Sequence, residues 1–432
     1  MFEKRRKTWV LRHFLWYHIS VGDFGKDRHM TKISEEITAL ENINLEAVEL
    51  LTKLIECRKE EILFLDIETT GLSPKNSDIY LVGTGFFKDD HFIVRQFFAE
   101  SSQDEEGVLS AFSDFSREFN KVVHFNGDRF DIPFLQYKYE EYKLSDPFER
   151  MESVDLYKIA KPFKTLLGLP DCKQTTLEHF LGIIRDDKYD GGRLISVYKD
   201  FVETRDLELL KLLMLHNAED VKGMLQLLPI LYFKEFFELF KNMPKISVRT
   251  DEDIDEAAYM QDQLPLPMRA IKVQANRYKD YEGKDKSEVY MKLVLPISLP
   301  GQLSGNEEGM FFKALGNEAT LKVPLYETEL KYFYSNYKEY YYLPKEDMAV
   351  HKSLAEFVDK NYREKAKPEN CYTKKEGQFL MEWDLVFAPF FKRDYSDKSF
   401  FFDLNENMKK SRFAMSLYAC HVVAHLIGLR QK

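Results

Sequence analysis

The stretch ILFLDIETTGL, Ile62 to Leu72, runs an apolar strand straight into two carboxylates. Ile62, Leu63, Phe64 and Leu65 form an unbroken apolar run, the pattern of a strand covered on both faces. Asp66 and Glu68 follow at i and i+2, which in a strand puts both side chains on one face. Two anions that close raise each other's pKa unless a cation lies between them. A strand end with its acids in solvent satisfies the spacing equally well, so the rest of the chain must decide.

Other acids stand in similar settings. VVHFNGDRFDIPFL places Asn126, Asp128 and Asp131 just after a second apolar strand, with Pro133 opening a helix-like run. Asp131 then sits at a strand-to-helix junction, where an N-cap is the ordinary role; Asp128 reads as a solvated turn residue. In MLHNAEDVKGML, His216 and Asp220 are four apart and share a helical face, with Leu209, Leu212, Leu213 and Leu225 as the apolar stripe. Taken alone, that pair is an ordinary surface pair.

The charge is unevenly placed. The 432 residues carry a net charge of −10, yet residues 245–432 hold 29 basic and 29 acidic side chains and residues 1–60 hold 11 and 10. The remaining 22 basic and 33 acidic residues fall in 61–244, the segment with the carboxylates. A nucleic-acid binder is usually basic, so this segment needs bound cations to accept a phosphate backbone. Four scattered cysteines, Cys57, Cys172, Cys371 and Cys420, suit a reducing compartment better than a disulfide scaffold or zinc cluster. The start has basic residues before an apolar stretch, but Arg12 and His13 interrupt it and no small-residue cleavage site follows. The last apolar segment, Phe413 to Leu429, is just under spanning length and contains His421 and His425. A buried helix, no membrane association and a cytoplasmic location are expected.

The chain divides into an N-terminal aromatic arm and helical segment (1–60), an α/β segment (61–244), an acidic Pro-containing linker (245–265) and a C-terminal α+β domain (266–432). In the α/β segment, ILFLDIE, IYLVGTGFF, HFIVRQFFA, KVVHFN and the edge-like ESVDLYKIA read as strands. The second and third are joined by a hairpin turn at Asp89-Asp90. VLSAFSDFSREF and FLQYKYEEY read as helices, and one long helical run extends from Asp206 to about Lys241. In the last segment, SLAEFVDKNYREKA reads as a helix with Leu354, Phe357, Val358 and Tyr362 on one side. His351 with Ser353 marks a helix start, and Lys352, Lys374 and Lys375 are weak candidates for phosphate contacts beside turn and strand roles.

No single motif decides, but their order does: D-x-E on a first strand, N-x-x-x-F-D before a helix, H-x-x-x-D in a late helix. From Ile62 to Leu228 the chain resembles the DEDD superfamily of 3′–5′ exonucleases, which has a ribonuclease H-like fold. DIETTGL, NGDRFD and HNAEDV match its three motifs. The layout, including VDLYKIA and LEHFLGIIRDDKYDGG, is similar to the bacterial YprB-type predicted exonucleases. The resemblance departs at one point. The superfamily's tyrosine branch has Y-x-x-x-D and its histidine branch usually H-x-x-x-x-D, whereas this chain has histidine at the tyrosine spacing.

The resemblance implies a mixed central sheet flanked by helices and a hydrolase using two Mg²⁺ or Mn²⁺ ions, held by Asp66, Glu68, Asp131 and Asp220. Oxygen ligands suit those hard cations. Asp66 would bridge them, and His216 would orient or deprotonate the attacking water. The substrate implied is a nucleic-acid 3′ end, DNA or RNA and single-stranded. Thr69, Thr70 and Gly71 would offer backbone N–H groups to it, or simply end the strand in a turn. Leu72 and Phe130 would wedge against or stack on bases, or pack the core, and Asn126 would bond the substrate backbone. Asp155 suits a strand-end role. A structure-specific endonuclease on the same scaffold, and an inactive nucleic-acid-binding scaffold, are the alternatives.

Overall fold

The computed structural model describes residues 15–20, 30–39, 43–89, 91–185, 191–243, 245–252, 254 and 266–428. The chain forms two compact units, Met1–Leu231 and Tyr232–Lys432. The second residue of the Asp89-Asp90 turn, most of the 245–265 segment and Leu429 lie outside the described residues.

The first unit is built on a seven-stranded mixed sheet. Its strands are β1 (Leu15–Ser20), β2 (Met30–Ala39), β3 (Ile62–Thr69), β4 (Ile79–Lys88), β5 (His91–Ala99), β6 (Lys121–His124) and β7 (Glu152–Asp155), in spatial order β1-β2-β5-β4-β3-β6-β7. β3, β4 and β5 are antiparallel neighbours, whereas β6 runs parallel to β3 and β7 parallel to β6. The sheet is covered on both faces, as the apolar run in β3 requires. Leu63, Leu65 and Ile67 enter a core with Val108, Leu109 and Phe112 of helix α2 (Glu105–Ser116) and Phe134 and Leu135 of α3 (Asp131–Tyr142). On the opposite face, Tyr80, Leu81 and Phe98 pack with Leu194, Tyr198 and Phe201 of α6 (Gly191–Thr204) and Leu210, Leu213 and Met214 of α7 (Leu207–Leu227). The helices α1 (Leu45–Leu54), α4 (Leu156–Ala160) and α5 (Gln174–Phe180) complete the unit. The architecture is ribonuclease H-like, with a mixed central sheet flanked by helices.

Several elements differ from their sequence reading. Residues 31–39, assigned to an N-terminal arm, pair with β5 and extend the sheet. The strand in ESVDLYKIA ends at Asp155, whose side chain accepts the Tyr157 N–H and caps α4. The long helical run is broken: Pro229 lies in a 3₁₀ turn, Leu228–Ile230, before the next helix, Leu231–Lys241.

The second unit is α+β. Arg269–Lys279, Asp285–Glu307 and Met310–Pro324 form an antiparallel three-stranded sheet. A four-stranded sheet combines Tyr326–Phe333, Tyr372–Glu382, Phe400–Asp403 and Phe390–Phe391, and a small one holds Tyr340–Leu343, Met348–His351 and Glu364–Lys365. Helix Arg412–Leu426 is buried at every position from Ala414 to Leu426, which explains why its sequence is apolar all round apart from Ser416, His421 and His425. The helix expected around Leu354 stops at Ala355 after one turn. Leu354, Phe357 and Tyr362 lie exposed, so no packing stabilises a longer helix. No described helix is long and apolar enough to cross a membrane.

Candidate active site

β3 carries Asp66 and Glu68 on the sheet face opposite Leu65 and Ile67. α7 crosses that face and brings two groups to them. His216 Nε2 lies 3.6 Å from a Glu68 carboxylate oxygen and 3.2 Å from Asp220 Oδ2. The i, i+4 spacing therefore places His216 and Asp220 together, and the strand spacing supplies Glu68 as their neighbour. Ligand atoms of Glu68, His216 and Asp220 all fall within 4.8 Å of one another, a grouping able to hold a metal ion.

The second motif reaches the site because β6 runs parallel beside β3 and α3 follows it. Asp131 does not cap its helix. Phe130 occupies the cap position, and Asp131 Oδ1 instead accepts the backbone N–H of Ile67 at 3.1 Å, between Asp66 and Glu68. This crossing bond fixes the second motif against the first.

The acids feel one another. Burial pushes the Asp66 carboxyl well above the usual carboxylate range, and the charges of Asp220, Glu68 and Asp131 push it further. The Asn217 amide, whose Nδ2 donates to Asp66 Oδ2 at 2.8 Å, opposes the shift. Asp131 is pushed up to about 7 by burial, against its bond from Ile67, with Asp220 and Asp155 adding to the rise. Such a set favours a bound cation, and its oxygen-rich donors with one imidazole fit hard divalent ions.

The weaker candidates fall into two groups. Thr69 Oγ1 donates to the Gly71 carbonyl at 2.7 Å and Thr70 Oγ1 accepts the Asp78 N–H at 2.9 Å, so both hydroxyls build the turn that ends β3. Asn126 adopts a left-handed conformation (φ +62°) and its N–H donates to Asp155 Oδ1 at 2.8 Å. Phe130 is half-buried against Phe134. Leu72 stands 85% exposed beside the site's first motif. Asp128 is not a solvated turn residue: Lys158 and Ser153 both donate to it, and His124 Nε2 lies 3.3 Å away. In the second unit the candidate lysines are held by acids. Lys374 pairs with Asp347 and Lys375 with Asp403, both at 2.6 Å, and Lys352 lies 3.6 Å from Glu339. His351 caps the short helix through Ser353, as its position suggests.

Three residues absent from the sequence reading belong to the site's surroundings. Arg185 donates to Asp220 Oδ1 at 2.7 Å and reaches Glu178 Oε2 at 3.3 Å. Gln174 donates to the Asp220 carbonyl at 2.9 Å. Asn217 lies inside the third motif itself. The only sequence signal for it was a polar residue on the helix next to His216.

A family comparison agrees with the architecture. Residues 63–232 match the RNase_H_2 family of the RNase_H superfamily. No curated protein matches the sequence. Among solved structures, the chain is similar to the family B DNA polymerase of the hyperthermophilic archaeon Pyrobaculum calidifontis. Identity is 16%, the TM-score is 0.33, and the match covers 64% of this chain and 35% of that one. It is also similar to E. coli exonuclease I in complex with a 5cy-dT13 oligonucleotide (12% identity, TM-score 0.28, 55% of each chain). Exonuclease I with bound product gives 12% identity and a TM-score of 0.29 over 55% of this chain and 59% of that one. The match thus spans about a third of the polymerase and just over half of the exonuclease I chains.

Proposed function

We propose that this protein is a metal-dependent nuclease of the DEDD type, removing nucleotides from the 3′ end of a single-stranded DNA or RNA. The observation that carries the reading is the convergence of four carboxylates and one histidine at the end of β3. Asp66 and Glu68 come from the strand, Asp131 is bonded to the backbone between them, and Asp220 is joined to Glu68 through His216.

Asp66, Glu68, Asp131 and Asp220 would hold two Mg²⁺ or Mn²⁺ ions. When bound, these would neutralise charge on the scissile phosphate and its attacking and leaving oxygens. The chain's own residues do the rest. His216 stands between two acids with its Nε2 near both, placed to orient the attacking water and take its proton. The Ile67 N–H holds Asp131 in place. Exposed Leu72 offers an apolar edge to a terminal base, while Asn126 and half-buried Phe130 belong to the second motif. Thr69 and Thr70 act through the backbone of the turn their hydroxyls build.

The test is cleavage of 5′-labelled single-stranded DNA and RNA oligonucleotides with Mg²⁺, Mn²⁺ or EDTA, comparing the wild type with Asp66→Ala and Asp220→Ala. A ladder shortening from the 3′ end, lost with EDTA and in both variants, is the expected result. Substrate left intact with every metal overturns the reading.

A further inference from the structure

One rung of the sheet crosses four strands: Ser34 of β2 is opposite Gln96 of β5, Gln96 opposite Gly83 of β4, and Gly83 opposite Asp66 of β3. Cross-strand partners share a face. Gln96 and Asp66 are two strands apart, roughly 10 Å at the usual spacing, which is too far for a direct hydrogen bond. The fully buried carboxamide of Asn217 spans the gap. Gln96 Nε2 donates to its Oδ1 at 2.8 Å, and its own Nδ2 donates to Asp66 Oδ2 at 2.8 Å and to the Asp66 carbonyl at 3.3 Å. The space it uses is the side-chain place that Gly83 leaves empty, since a Cβ there would overlap the carboxamide.

The chain of bonds has a direction. Ser34 Oγ donates to Gln96 Oε1 at 3.3 Å, so the Gln96 amide group must turn the other way. There it meets Asn217 Oδ1 and the Met214 carbonyl, the latter at 2.8 Å. With Oδ1 so engaged, only the Asn217 amide hydrogens remain for Asp66. Buried amides cost free energy unless bonded, and apolar side chains would fill the same volume without that cost.

We propose that Asn217, oriented by Gln96 and admitted by Gly83, is a positioning residue that fixes the Asp66 carboxylate for metal binding. It holds Oδ2 and leaves Oδ1 as the oxygen presented to a cation. The inference rests on the metal-site reading above and goes beyond it by assigning three residues that no motif of the site contains as ligands. A partner that orients a ligand typically changes metal affinity by about 10–100-fold.

The test measures Mn²⁺ affinity by titration calorimetry on the full chain, with thermal melting as a check of folding. Asn217→Ala and Gly83→Ala should each weaken Mn²⁺ binding by at least about tenfold. In an Asp66→Ala background, Asn217→Ala should change it no further. Gln96→Glu should weaken binding more than Gln96→Met, because a carboxylate draws the Asn217 amide group to itself and turns Oδ1 toward Asp66. This Gln96 pair carries the test should the Asn217 or Gly83 variants not fold. Folded Asn217→Ala protein with wild-type Mn²⁺ affinity overturns the inference alone, as does an equal loss in the Asp66→Ala background. For the Gln96 pair, equal affinities overturn it. Wild-type protein that takes up no Mn²⁺ overturns the metal reading, and the inference with it.

Discussion

Arg185 Nη1 lies 2.7 Å from Asp220 Oδ1 and 3.3 Å from Glu178 Oε2, so one guanidinium serves an acid of the site and a buried acid beside it. Glu178 is almost wholly enclosed, and a Cβ on Gly223 would overlap its carboxylate. Burial raises the Glu178 pKa and Arg185 opposes that rise. Removing one partner of an enclosed pair leaves an uncompensated charge. Arg185→Ala should therefore cost about 3 kcal/mol, seen as a lower urea midpoint, and adding Glu178→Gln should recover part of it. An unchanged midpoint would show the pair to be idle.

Asp131 separates charge from shape. Asparagine at this position can still accept the Ile67 N–H, whereas alanine leaves that donor enclosed without a partner, at a cost of about 1–3 kcal/mol. Asp131→Asn should melt close to the wild type and Asp131→Ala well below it. Both should lose cleavage by roughly a thousandfold, the equivalent of several kcal/mol of lost charge stabilisation. Cleavage by either variant at the wild-type rate would remove Asp131 from the metal set.

The exposed trio of the second unit predicts contrasting stabilities. Phe357→Ser and Leu354→Ser should shift unfolding by no more than about 0.5 kcal/mol, because these side chains are exposed. Phe379→Ala, in the centre of the four-stranded sheet's core, should cost about 3–5 kcal/mol. Chemical denaturation of the three variants checks this directly, and a large loss at Phe357 would mean that the side chain is covered in solution.

Glu382 gives the second unit a pH dependence. Burial pushes its carboxyl from an ordinary 4.5 up to about 8, against the bond it accepts from the Phe387 N–H. Between those values the folded chain keeps a proton that the unfolded chain releases. Its contribution is thus full below about pH 4.5, falls as the pH rises, and is gone above about 8. The slope is at most about 1.4 kcal/mol per pH unit. Glu382→Gln should flatten this fall, leaving the variant more stable than the wild type at pH 9. Parallel slopes from pH 6 to 9 would refute the assignment.

Much of the site was legible because its signals are local. Asp66 and Glu68 declare a shared face by strand alternation, and His216 and Asp220 do so by helical spacing. Asn217 was illegible for a physical reason. Its place exists only once β4 lies between β3 and β5 with a glycine at the crossing, and nothing near residue 217 records that. Arg185 likewise meets Asp220 from 35 positions away. Taken alone, Asp131 reads as a cap, the ordinary role of a helix-start acid, and its bond to the Ile67 N–H of a neighbouring strand leaves no local trace. The helix expected around Phe357 had the right periodicity, but periodicity promises a helix only where some surface covers the stripe.

The crossing of α7 over β3 also sets when the site can assemble during synthesis. The strand acids emerge from the ribosome long before His216 and Asp220, and the intervening strands must pair before α7 has a face to lie on. Contacts this distant in sequence form late. A nascent chain that has made Asp66, Glu68 and Asp131 therefore holds only part of the carboxylate and histidine cluster, which closes when the last helix of the unit docks.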